Sequence, residues 1–174
     1  MMLKSGRGEQ GVGGMQTLDQ DELSIHINAA PEAVYKLVAD VTRTPEYSPE
    51  VSAARWVKGA QGPAAGARFR ATNTIGKFSW HNTPIVTAAE PGREFTFART
   101  ERLCGTVQWR YRFEPEAGGT RVTESYLVVR PITRIGWVLV SGMGTDKNRR
   151  RTMHEGIKAS LERLRTIAER ESSA

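Results

Sequence analysis

Residues 146–170, DKNRRRTMHEGIKASLERLRTIAER, constrain this chain more than any other stretch. At about 100° per residue, Ser160, Leu164, Ile157, Ala168 and Leu161 fall within about 80° of the direction set by Met153, and Ile167 lies about 40° to its other side. Glu155, Lys158, Glu162, Arg165, Glu169 and Arg170 take the opposite arc. A helix with one apolar stripe must press it against a large apolar surface supplied by other elements. The rest of the chain has to be that surface. A long helix laid across one curved sheet encloses space as well as core, so a ligand cavity is expected.

The surface reads as strands. Leu23, Ile25 and Ile27 alternate with Ser24, His26 and Asn28, the period of two of a half-buried strand. Pro31 then suits a first helical turn, with Val34, Leu37 and Val38 as the buried face of a short helix, and the proline-bearing stretch 42–50 allows at most a second short turn. Strands follow at 51–58, 67–75, 77–88, 94–100, 106–113 and 120–130, separated by glycine- and proline-bearing turns, with the loop EPEAGG between the last two. The 106–113 strand alternates most cleanly, with Val107, Trp109, Tyr111 and Phe113 on one face and Gln108, Arg110 and Arg112 on the other. Hairpin-connected strands with segregated helices define an α+β domain built on one antiparallel sheet. Residues 131–145 connect sheet to helix, and Trp137, Leu139 and Val140 suit a short helix or lid there.

At 174 residues the chain has the size of one domain. Residues 1–19 hold five of the 17 glycines and no apolar period. They read as a disordered leader, with Met15 as an alternative start to Met1, and residues 20–172 as the single domain. The sole cysteine, Cys104, permits no internal disulfide, and neither an apolar signal core nor a spanning segment is present, so a cytoplasmic protein is expected. The net charge of +6 permits an anionic partner without requiring one. RNA or ribosome binding by a basic surface is therefore a third and weaker functional class, and nucleic acid is disfavoured as a partner. His26, His81 and His154 show no metal-ligand spacing, so no metal and no cofactor are expected. Nor does Ser141 sit in a nucleophile elbow, since Leu139 stands where that turn needs glycine.

Several motifs together resemble the START-like (SRPBCC) superfamily, the Bet v 1-like helix-grip fold, and in particular its bacterial polyketide cyclase/dehydrase branch. They are APEAVYKLVAD at 30–40, PEYSPE at 45–50, GARF at 66–69, AEPG at 89–92 followed by Phe95, WRYRFEP at 109–115, GTRVTE at 119–124 and the closing helix. Tyr47 stands where many members carry tryptophan. The resemblance covers roughly residues 20–170. It implies a curved seven-stranded antiparallel sheet gripping the long C-terminal helix, two short helices after the first strand, and a cavity for lipids, polyketides or other apolar molecules. Members differ in function and many bind without catalysing, so fold alone does not decide chemistry.

Inward phase assigns the candidate site. Phe69, Trp80, Phe95, Phe97, Trp109, Tyr111 and Tyr126 either fill a solid core or line an apolar pocket whose tryptophan N–H and tyrosine O–H groups orient a ligand. Met153 and Ile157 complete the helix side. His154, about 100° from Met153, is either a boundary residue or a polar contact at the pocket edge. Arg150, with Arg149, lies within about 60° of the Met153 direction and either covers apolar surface with its stem or meets a ligand's anionic group. Arg99 is in phase with Phe95 and Phe97, and Glu124 with Val122 and Tyr126. They form either a buried structural pair or a catalytic set in which Glu124 is a general base of raised pKa and Arg99 stabilises an enolate. The expected function is a non-catalytic binder or carrier of a small apolar or amphipathic molecule, acting as monomer or homodimer. The alternative is a cyclase, aromatase or dehydratase using Glu124 and Arg99.

Overall fold

The structure, a computed structural model, describes residues 19–131, 133–136, 138 and 149–173. The expected leader, with Met1 and Met15, lies outside the described residues, as do Trp137, Leu139 and Val140 of the connector. Residues 134–136 and 138 are helical.

Strand β1 (Gln20–Ile27) leads into α1 (Pro31–Ala39), a 3-10 turn at Val41–Arg43 and the single-turn α2 (Thr44–Tyr47). There follow β2 (Val51–Val57), β3 (Arg68–Ile75), β4 (Phe78–Asn82), β5 (Ile85–Glu90), β6 (Glu94–Glu101), β7 (Gly105–Glu116) and β8 (Gly119–Arg130), then the long helix α3 (Arg149–Ser172). The sheet is antiparallel in the order β1-β8-β7-β6-β5-β3-β2, with β4 also paired to β3. Since β2 takes the other side of β3, β4 and β5 share one position, and the curled sheet has seven strand positions around α3.

Two strand boundaries differ from the pattern reading. The single strand expected at 77–88 is broken at Thr83 and Pro84, because proline has no N–H for the ladder. The EPEAGG stretch is mostly strand rather than loop. Pairing continues through Pro115–Thr120 and Glu116–Gly119, and the hairpin turns on Ala117 and Gly118 alone, both at positive φ as a twisted two-residue turn requires. At the other end of β7, Gly105 has φ +76 and a Cβ there would lie 2.1 Å from the Arg130 carbonyl oxygen, so only glycine lets β7 start against β8.

Helix α3 buries Met153, Ile157, Ser160, Leu161, Leu164, Ile167 and Ala168, the stripe that its period predicts. It packs on β1, β8, α1 and α2. Val34, Leu37 and Val38 of α1 are buried beneath it, and Tyr35 meets Phe113 edge-on at 5.8 Å. Most of the apolar core lies between these helices and the β6–β8 half of the sheet. Among the described residues no helix is long and apolar enough to cross a membrane.

Candidate functional site

Between α2, α3 and the concave sheet face lies a cavity of about 130 Å³, on the order of ten times the room one water needs. Strand alternation supplies its sheet wall: Phe69 from β3, Trp80 from β4, Phe95 and Phe97 from β6, and Trp109 and Tyr111 from β7. The rings are mutually locked. Phe97 stands edge-on to Phe69 at 5.2 Å and tilted to Phe95 at 5.9 Å. Met153, Gly156, Ile157 and Ser160 form the helix wall, and Tyr47 to Val51 close the side beside α2.

Glu124 is the chemically distinctive lining group. It is 3% exposed, its Oε1 accepts the Tyr111 hydroxyl at 2.8 Å, and its Oε2 has no hydrogen-bond partner. Burial raises its pKa to about 8, overriding the opposite pull of the Tyr111 hydrogen bond. At neutral pH the carboxyl is therefore mainly protonated. With Oε1 occupied as an acceptor, Oε2 is the oxygen left to carry that proton. Burial also pushes the Tyr111 and Tyr47 phenols upward, with Glu124 adding to both, so both stay neutral donors.

Arg99 lines the cavity too, yet it does not meet Glu124. Its Nη1 donates to Glu101 Oε2 at 3.2 Å, two residues along the same strand. The expected Arg99–Glu124 pair fails because the register sets Glu124 across from Tyr111 and Phe95, whereas Arg99 lies four residues farther along β6, across from Val107 and Val128, and Tyr111 takes Glu124 for itself.

Three other expected positions fall elsewhere. Tyr126 is buried but spends its ring on Trp109, at 5.4 Å, and does not line the cavity. Arg150 is exposed. His154 bonds through Nδ1 to Asp21 Oδ2 at 2.8 Å, tying the start of α3 to β1 rather than to the cavity. The Arg149 side chain and the Lys147–Asn148 part of the basic run lie outside the described residues. Of the other histidines, His26 sits by Glu116 and His81 by the Thr72 hydroxyl. Among the described residues no cluster of His, Cys, Asp or Glu is suited to a metal ion.

Pattern reading overlooked Tyr47, Asn73 and Asn82, all in the lining. Asn73 was legible, since it shares a face with Phe69 and Ala71, and Asn82 shares one with Trp80. A polar residue in an inward position is a stronger sign of a site than an apolar one.

A curled antiparallel sheet closed by one long helix over a partly polar cavity defines the helix-grip class. The chain belongs to the polyketide cyclase/dehydrase and lipid transport family, whose model matches residues 21–169. Among solved structures, the polyketide-cyclase-like protein Cgl2372 of Corynebacterium glutamicum is 33% identical, with a TM-score of 0.58 over 90% of this chain and 94% of its own. The di-domain aromatase/cyclase StfQ of the steffimycin biosynthetic pathway superposes with a TM-score of 0.70 at 15% identity, over 89% of this chain. This chain spans about half of StfQ, 52% of its length. The allergen Ara h 8.0201, with a TM-score of 0.63 at 12% identity over 86% of this chain and 96% of its own, shares the same Bet v 1-like fold. No curated protein sequence gives a match. Family and fold support either small-ligand binding or polyketide-cyclase function.

Proposed function

We propose that the chain is a non-catalytic binder or carrier of a small, uncharged, largely aromatic or otherwise apolar molecule that presents a hydrogen-bond acceptor to Glu124. The observation that carries this reading is the Glu124 carboxyl in the cavity lining, buried and with its Oε2 lacking a hydrogen-bond partner, where burial favours the neutral acid. A neutral acid in that position binds a carbonyl or hydroxyl oxygen without the desolvation cost of a carboxylate. Arg99, the expected enolate stabiliser, is instead paired with Glu101.

One observation favours the enzymatic reading: a carboxyl that titrates near 8 exchanges protons readily at neutral pH, as a general acid or base must. StfQ, named as an aromatase/cyclase, lends that reading its chemistry.

Native mass spectrometry of freshly purified protein, with solvent extraction, tests the binder directly through a co-purifying molecule. Titration with the neutral fluorophore N-phenyl-1-naphthylamine supplies a second readout, since Trp80 and Trp109 line the cavity and should be quenched. Phe97→Asp should abolish that quenching in a folded protein, and equal binding by this variant would overturn the assignment of the cavity. Loss of turnover on an identified substrate in a folded Glu124→Gln protein would establish the enzyme instead.

A further inference from the structure

The cavity lining carries a second set of unsatisfied polar atoms, on strands other than that of Glu124. Asn73 is 8% exposed and its Nδ2 has no hydrogen-bond partner; Asn82 Oδ1, also buried, has none. Both residues line the cavity. They are neighbours by register, because β3 and β4 pair Asn73 with Trp80 and Ala71 with Asn82, which sets the two amides diagonally on the same face. Glu124 stands on β8, and β7, β6 and β5 intervene before β3. The curl of the sheet therefore sets the amide pair and the carboxyl on different walls of one cavity, with Phe95, Phe97 and Trp109 between them.

Resting on the binding reading above, we infer that the ligand is two-ended: one acceptor for Glu124, and at the other end a donor–acceptor edge such as a carboxamide, lactam or hydroxy-ketone for Asn73 and Asn82. Asn73 Nδ2 donates to the acceptor of that edge, and Asn82 Oδ1 accepts from its donor. Buried polar atoms are ordinarily paired, and leaving Asn73 Nδ2 and Asn82 Oδ1 unsatisfied on one wall is destabilising unless a ligand completes them. A purely apolar ligand would worsen the loss by displacing any water from both. The aromatic rings between the two polar ends favour a flat aromatic spacer.

The test uses two probes on the full chain, followed by tryptophan quenching: 2-naphthol, which offers only the hydroxyl end, and 6-hydroxy-2-naphthamide, which offers both. Wild type should bind the amide about tenfold more tightly, the gain of one to two net hydrogen bonds. Asn73→Leu and Asn82→Leu should each bring that ratio close to one. Because each leucine removes one buried, unsatisfied polar atom, melting temperature should hold or rise by a few degrees. An unchanged amide-to-naphthol ratio in both variants overturns the inference and leaves the binder intact. A large fall in melting temperature for both, showing that the amides serve the fold, overturns it too. Absence of quenching by either probe in wild type would count against the binding reading itself, and against this inference with it.

Discussion

Replacing Glu124 by glutamine should convert a pH-sensitive protein into a pH-tolerant one. In the unfolded chain the Glu124 carboxyl loses its proton near the ordinary value of 4.5, whereas in the fold burial holds the proton until about pH 8. Between those values the native state binds more protons than the unfolded one, so stability falls as pH rises. The contribution is fully present below 4.5 and is lost as pH climbs through 8. At ~1.4 kcal/mol per pH unit the gap is worth roughly 5 kcal/mol, a large part of the 5–15 kcal/mol that typically holds a domain together. Glutamine is nearly isosteric, keeps an oxygen for the Tyr111 hydroxyl and does not titrate. Thermal melts of both proteins from pH 4 to 9 isolate the effect, because the other titrating groups outside this contact cancel in the difference. The variant should match wild type near pH 4 and exceed it by about 10–20 °C near pH 9, at 2–4 °C per kcal/mol for a chain of this size. A difference that stays flat across this range would refute the burial argument. A difference of opposite slope would mean that Glu124 is ionised in the fold and stabilised by a charge.

A Cβ on Gly156 would meet only Pro49 Cγ, at 3.9 Å, so Gly156→Leu should project into the cavity. The expected result is unchanged or slightly raised stability, since glycine costs about 1 kcal/mol inside a helix, with weakened binding of N-phenyl-1-naphthylamine; a steep loss of melting temperature would instead show close packing. Arg99 lines the cavity whereas Arg150 is exposed, so any preference for fatty acids over the matching alcohols should narrow in Arg99→Gln and persist in Arg150→Gln, as measured by competition with the same fluorophore. Leu164 is fully buried beneath the sheet, and Leu164→Ala should cost about 2–5 kcal/mol in denaturant unfolding without changing the probe's affinity per folded molecule.

Alternation made the fold legible because the sheet has one wet face and one buried face, and the helix a single stripe. The strand carrying Trp109 and Tyr111 and the stripe from Met153 to Ala168 could be placed from periodicity alone. Two strand ends were misread for a local reason: Pro84 breaks a ladder that its flanking β-formers continue, whereas Pro115 sits inside one, and only pairing to β8 distinguishes them. In the site, alternation identifies the inward face but not the depth. Tyr126 and Tyr111 are both inward and buried, yet one fills space against Trp109 and the other borders the void. Partners two residues apart, such as Arg99 and Glu101, were open to the same reasoning that placed Arg99, since both share its face. His154 was not, because its partner Asp21 is brought to it only when α3 lies against β1. The cavity itself comes from a mismatch of volumes among three elements. Gly156 and Ser160 on the helix, Ser48 beside α2, and Ala54 and Ala71 on the sheet are all small at inward positions where one large side chain would close the gap. Close-packed interiors leave few voids larger than a water, so small residues converging from separate elements, with Glu124 Oε2 and Asn73 Nδ2 lacking hydrogen-bond partners among the lining groups, support the ligand cavity proposed above.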